Sequence, residues 1–189
     1  MKTVIFAAAM TAALCAPAFN HVGFINVNGA VDSVLFNEAV TNRILCSISV
    51  ASKAYATDRI NVSHLVEEAS KGYPNGECKI SVYFVSDPAF PPQVVSPGFF
   101  AVMNVRGLDK DADIKKYAKR IEKMVLKGLA FACGFGANQD IGRCVMATGS
   151  FETLKGIDAT SASYSPFCYF PLSDYLNSRG LMIVPRDDE

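Results

Sequence analysis

The side chains best suited to chemistry gather between Lys127 and Cys168. Lys127 opens the run Lys-Gly-Leu-Ala-Phe-Ala-Cys-Gly-Phe-Gly-Ala that ends at Ala137, and it is followed by Cys133, Cys144 and Cys168 and by the carboxylates Glu152 and Asp158. An ammonium in apolar surroundings must reach water along its stem, find a carboxylate or lose its proton, and a deprotonated lysine can form a Schiff base. Thiolates hold metals or pair as disulfides, and two carboxylates can share acid–base work. Each reading has a plainer rival: a lysine with a buried stem, an inert thiol at Cys133, and a solvated surface at Glu152 and Asp158. Elsewhere the inventory is thin. The two histidines, His21 and His64, cannot build a three-His metal site, and His64 with Glu67 or Glu68 has a spacing equally at home on a solvated helix face. Asp140 offers one further oxygen. There is no Gly-x-Ser-x-Gly elbow and no phosphate-binding Gly-Lys-Ser/Thr loop, and Gly134-Phe-Gly136 reads as a helix stop. Asn61-Val-Ser63 is a formal glycosylation acceptor.

The elements that must position these residues are legible in outline. His21 to Val27 reads as a strand, 32–45 as a helix, Ser47 to Val50 as a strand, and Asn61 or Ser63 can cap a helix through Ser70. Residues 72–76 make a turn before a strand from Lys79 to Val85; the proline-rich 87–92 is irregular, and Phe99 to Val105 reads as another strand. A long helix is expected from near Asp111, with Ile114, Tyr117, Ile121, Met124, Val125, Gly128, Leu129 and Ala132 forming one core-facing stripe. Towards its end the helix loses its polar face, which sends that segment deep into the fold or onto a cleft floor. Strands alternating with helices imply an α/β fold: a mixed sheet with covering helices.

Several landmarks resemble a known family. A zinc protease places two His at i, i+4 on one helical face with a Glu beside the first; in metzincins a Gly turn, a third His and a Met-containing turn follow. Laid on this chain, that pattern puts Lys127 and Phe131 at the His pair, Gly128 at the Glu, Gly134 at the turn, Ala137 at the third His and Met146 in the Met turn. Cys144-Val-Met146, Phe167-Cys168, the Ser150, Leu154 and Asp158 region, the stretch Gly98 to Arg106, and Tyr117 to Leu126 are similar to the archaemetzincins in order and approximate spacing, over roughly Lys79 to Cys168. The resemblance implies a metzincin-like, mostly parallel twisted sheet with a long central helix ending at a Gly turn, followed by a Met turn. Because the ligand residues are absent, it also implies a catalytically inactive homologue with no metal and no cofactor. The family's second metal site resembles a four-Cys zinc; here Cys144 and Cys168 remain while Asn138 and Pro171 stand near the other two positions. A Cys144–Cys168 disulfide replacing the metal is the expectation, with Cys46 and Cys78 as a second candidate pair. At Lys127, the ammonium standing in the place of the metal with Phe131 filling the ligand cavity joins the two readings above.

In metzincins a substrate peptide lies along an edge strand. If that strand is Phe99, Phe100, Ala101, Val102, Met103, Asn104 and Val105, an extended peptide or protein ligand could add to it. A zinc-dependent peptidase with a displaced ligand set, or an unrelated secreted α/β structural domain, are the alternatives. Half the residues are hydrophobic, and eighteen basic residues balance eighteen acidic ones, which argues against disorder and against nucleic acid as a partner. Lys2, the apolar run from Val4 to Leu14 and Ala16-Pro17-Ala18 read as an export signal over residues 1–18, leaving a single archaemetzincin-like domain over 19–189, secreted or periplasmic and not held in a membrane. Oligomeric state has no sequence signal.

Overall fold

The computed structural model describes residues 21–46, 50–58, 61–71, 78–96, 100–137, 144–149, 151–178 and 181–183. The expected leader, Phe99, Asn138, Asp140, Ser150 and the 72–76 turn lie outside these residues.

Strands β1 (His21–Val27), β3 (Val50–Tyr55), β4 (Cys78–Val85), β5 (Gln93–Ser96) and β6 (Phe100–Asn104) form one sheet in the order β3-β1-β4-β6-β5. The first four are parallel; β5 alone runs antiparallel, against β6. The expected mixed, mostly parallel sheet is thus what forms. Both faces are covered, and the period-2 alternation of strands sorts the side chains. Val22, Phe24, Ile80, Val82, Phe84, Ala101 and Met103 enter one core with helices α1 (Ser33–Thr41) and α3 (Ile114–Ala132). Ile25, Val27, Tyr83, Val85, Phe100 and Val102 enter another beneath α2 (Val62–Ser70). Being buried on two sides, β4 and β6 read as nearly continuous apolar runs.

Caps set the helix starts. Asp32 accepts N–H bonds from Val34 and Leu35 at 3.0 and 3.1 Å, and Asn61 accepts from His64 at 2.9 Å. The long helix begins later than its acidic approach suggests, because Asp111 takes φ +54° in a turn and Asp113 is the cap, accepting from Lys116 N–H at 2.8 Å. Ile114 accordingly drops out of the core stripe and is 65% exposed. The expected helix over 32–45 stops at Thr41, and Ile44–Cys46 instead forms β2, paired antiparallel with β7 (Leu181–Ile183). Two further helices, α4 (Leu154–Ala159) and α5 (Pro166–Asn177), follow the turn at Cys144 to Ala147. Among the described residues no helix is long and apolar enough to cross a membrane.

Candidate functional site

Every residue from Arg120 to Ala132 of α3 is buried, although this stretch carries Arg120, Glu122, Lys123 and Lys127. An unpaired buried charge is costly, so each needs a partner. The chain beyond the helix supplies most of them. Asp158 receives Arg120 Nε and Nη2 at 2.7 Å each, while Arg120 Nη1 donates to the Leu108 and Lys110 carbonyls at 2.6 and 2.8 Å. Lys123 Nζ donates to the Ile157 carbonyl at 2.8 Å, Tyr164 Oη donates to the Leu126 carbonyl, and Arg43 bridges Glu122 and the Ala162 carbonyl. The segment from Cys144 to Ser165 therefore wraps the polar side of α3. These bonds leave their mark on proton affinity: the Arg120 hydrogen bond holds the Asp158 carboxyl well below the usual carboxylate range, and burial raises the Tyr164 hydroxyl well above its ordinary value.

Lys127 is the exception within this wrapping. It is 3% exposed, yet among the described residues its one hydrogen bond reaches the Ala147 carbonyl at 3.5 Å, the outer limit of such a contact. Its ammonium sits 4.0 Å from the Phe151 ring centroid and 5.5 Å from that of Phe131. Burial lowers its pKa to about 8, against smaller opposing effects of Cys144 and Glu152. Lys127 also lines a cavity of about 690 Å³ whose walls include Gln93 of β5, Asn104, Arg106, Lys110 and Glu152. The lysine with a solvated tip is thus excluded, and the cleft floor expected from the apolar end of the helix is present.

The other sequence-singled residues separate into groups. Ala137 lines the same cavity, while Phe131 is 4% exposed and packs in the core instead of standing in the opening. Gly128 is a close contact: a Cβ there would lie 2.6 Å from Val82 Cγ1 and 3.0 Å from Met103 Cγ, so the helix rests directly on β4 and β6. Gly134 takes φ +92° just past the helix, and Met146 is 1% exposed within the turn closed by Ala147 N–H to the Cys144 carbonyl. Cys133, Cys144 and Cys168 are thiols, so the expected Cys144–Cys168 disulfide is not formed. Cys144 Sγ instead accepts the Met146 and Ser165 N–H groups at 3.3 and 3.2 Å. The side chains of Cys46 and Cys78 lie outside the described residues.

Two readings of the cleft need correction. Residues Phe100 to Asn104 form β6, which pairs with β4 on one side and β5 on the other, so its backbone is already committed; among the described residues the sheet edge nearest the cavity is β5. Asp158 is neither an acid–base partner of Glu152 nor an idle surface carboxylate, because it binds Arg120 and, at 3.0 Å, Lys116. His64 lies on α2, beneath the opposite face of the sheet from α3. Sequence reasoning missed Gln93, Arg106, Lys110 and Phe151 as cavity residues. The β-branched pair after Pro91-Pro92 was a signal for β5; Phe151 carried none.

The positions that the family resemblance assigns to metal ligands hold Lys127, Phe131 and Ala137, which offer no lone pair to a divalent cation while the lysine is protonated. Zinc does not fit this donor set, and among the described residues no group of three or more His, Cys, Asp or Glu is placed to hold a metal. No protein-family model matches the chain, and no curated protein does. Solved structures do. The archaemetzincin from Methanopyrus kandleri aligns over 86% of this chain and 99% of its own with TM-score 0.63 and 23% identity. A zinc-dependent peptidase from Methanocorpusculum labreanum aligns over 79% and 99% with TM-score 0.59 and 13% identity. The archaemetzincin from Archaeoglobus fulgidus, solved with malonate, aligns over 78% and 97% with TM-score 0.52 and 16% identity. These likenesses overturn the expectation that the chain is not an enzyme: the structures that share its architecture are archaemetzincins and a zinc-dependent peptidase. At these identities the comparison establishes architecture, and the architecture is that of an archaemetzincin.

Proposed function

We propose that this chain binds extended peptides in the cleft of its peptidase fold, with β5 as the docking edge and the α3 floor around Lys127 as the contact for ligand side chains. One juxtaposition carries this reading: Gln93 on the open sheet edge and Lys127 on the helix floor line the same cavity. Backbone geometry supports it. Asn104 N–H donates to the Pro92 carbonyl at 3.0 Å, and Gln93 stands opposite Met103. In an antiparallel ladder that alternation turns the N–H and C=O of Gln93 away from β6, towards an added strand. Gly134 and the turn holding Met146 read as the counterparts of the metzincin Gly and Met turns, which would set the floor beneath a bound peptide.

Fluorescence anisotropy over a panel of extended peptides, with each mixture also checked for fragments by mass spectrometry, tests the reading. Saturable binding is expected in the wild type and loss of binding in Gln93→Pro, a change that removes an outward N–H without touching the β5–β6 bonds. Fragments would add turnover to binding. Absence of saturable binding, or undiminished binding by the variant, would overturn the proposal.

A further inference from the structure

The cleft floor presents a buried cation whose hydrogen-bonding capacity is poorly used. Lys127 has three N–H donors and one contact at 3.5 Å, whereas Lys123, one turn earlier and also buried, reaches its carbonyl at 2.8 Å. The aromatic faces of Phe151 and Phe131 attract the charge without accepting conventional hydrogen bonds. Charge on the walls points the same way: among the described residues Arg106 and Lys110 join Lys127 around the cavity, against Glu152 as the one acidic lining residue. A low-dielectric floor with an underused ammonium and two cations on its approach favours an anionic oxygen over a neutral carbonyl.

We propose that Lys127 is the recognition residue of a carboxylate subsite in the peptide cleft, pairing with an Asp or Glu side chain or with a terminal carboxylate of the ligand. This deepens the peptide-binding reading and rests on it. The shared ligand chemistry is a carboxylate on an extended chain, with Arg106 and Lys110 drawing it in and Lys127 receiving it. Binding supplies the short, charge-assisted partner that the ammonium lacks in the unliganded protein. The fall in its proton affinity caused by burial then reverses, because the arriving charge favours the protonated form.

The test uses the full chain and matched peptides that differ only in Asp against Asn, Glu against Gln, or C-terminal acid against amide, titrated calorimetrically. At least one acid form should bind about tenfold more tightly than its neutral twin, and the pair that shows the difference identifies the source of the carboxylate. Lys127→Met should erase the difference in affinity between the acid and neutral twins, and Lys127→Arg should restore part of it; thermal unfolding of each variant checks the fold. Equal affinity of acid and neutral twins in the wild type overturns the carboxylate subsite and leaves peptide binding standing. If no peptide binds, peptide docking fails, and succinate decides the subsite separately. A saturating shift of the Lys127 ε-carbon resonance in 13C-lysine-labelled protein, lost in Lys127→Met, supports it, and no shift overturns it. Phosphate or sulfate displacing succinate at lower concentration than acetate does would also overturn assignment to a carboxylate.

Discussion

Replacing Lys127 by Met should make the protein more stable. The substitution keeps a straight side chain of similar length and removes a charge that the fold compensates poorly. A pKa lowered from 10.5 to about 8 by burial corresponds to about 3 kcal/mol against the charged form at pH 7. The Phe151 face at 4.0 Å returns about 1 kcal/mol, and the 3.5 Å contact with Ala147 little. The net gain for Lys127→Met is then about 2 kcal/mol, or roughly 4–8 °C in Tm for a chain of this size. The sign with pH follows from the order of the two pKa values. The folded value lies below the unfolded one, so between about pH 8 and pH 10.5 the unfolded chain holds a proton that the folded chain has released, and wild-type stability gains from this group as pH rises. The advantage of the variant should therefore be largest near pH 7 and shrink towards pH 10.5. Cys144 and Glu152 face the ammonium, so the comparison is repeated in Cys144→Ser and Glu152→Gln backgrounds. Urea unfolding of wild type and variant across pH 7–10 gives the difference directly. A destabilised variant, or a difference that ignores pH, refutes the claim that burial of this charge is a standing cost.

Three further outcomes follow from the packing around α3. Asp158→Asn leaves Arg120 buried without its carboxylate and should cost about 3 kcal/mol at pH 7; because the folded carboxyl is held low, the contribution of the wild type is present above the unfolded value and fades as pH falls below it, so urea curves of the two proteins should converge in acid. Gly128→Ala gains up to about 1 kcal/mol of helix propensity but drives a methyl to 2.6 Å from Val82 Cγ1, an overpacking cost of about 1–3 kcal/mol; net destabilisation in thermal unfolding, relieved in the double variant with Val82→Ala, is expected. Tyr164→Phe removes the hydroxyl bond that supplements the helical bond of the Leu126 carbonyl and should cost about 1 kcal/mol by the same measurement.

Much of the scaffold was legible because local signals and burial agree. Strands β1 and β4 stand out as apolar, β-branched runs since both faces of the sheet are covered, and Asp32 and Asn61 announce the helices they cap. Where tertiary packing decides, the signal fails. Four-residue β5 is too short to show a period, so the strand beside it was read as the edge. Pro171 sits inside α5 and masks its helical character. At the site, the family pattern singled out Lys127 and Ala137, which both line the cavity, and the apolar neighbours announced the burial of this stretch of helix, though not of the Lys127 ammonium itself. The cation-rich wall could not be foreseen: Arg106 and Lys110 are ordinary loop residues until the fold turns them towards the helix floor. Nor does spacing reveal that Asp158 will be claimed by a guanidinium thirty-eight residues away.

The wrapping of α3 also has a bearing on the order in which the molecule can be made. The sheet strands precede the helix in the chain, and they can cover only the apolar side of it. On the other side, Arg120, Lys123 and Lys127 meet Asp158 and the Ile157 and Ala147 carbonyls only in what is synthesised afterwards, whereas Glu122 pairs with Arg43 and Arg120 also reaches the Leu108 and Lys110 carbonyls, all made before the helix. During elongation on the ribosome Lys123 and Lys127 must keep their charges in water, and the cleft has no far wall until Phe151 and Glu152 emerge. The cleft is therefore a late product of chain growth, and a nascent chain halted before residue 144 would lack the residues of its far wall.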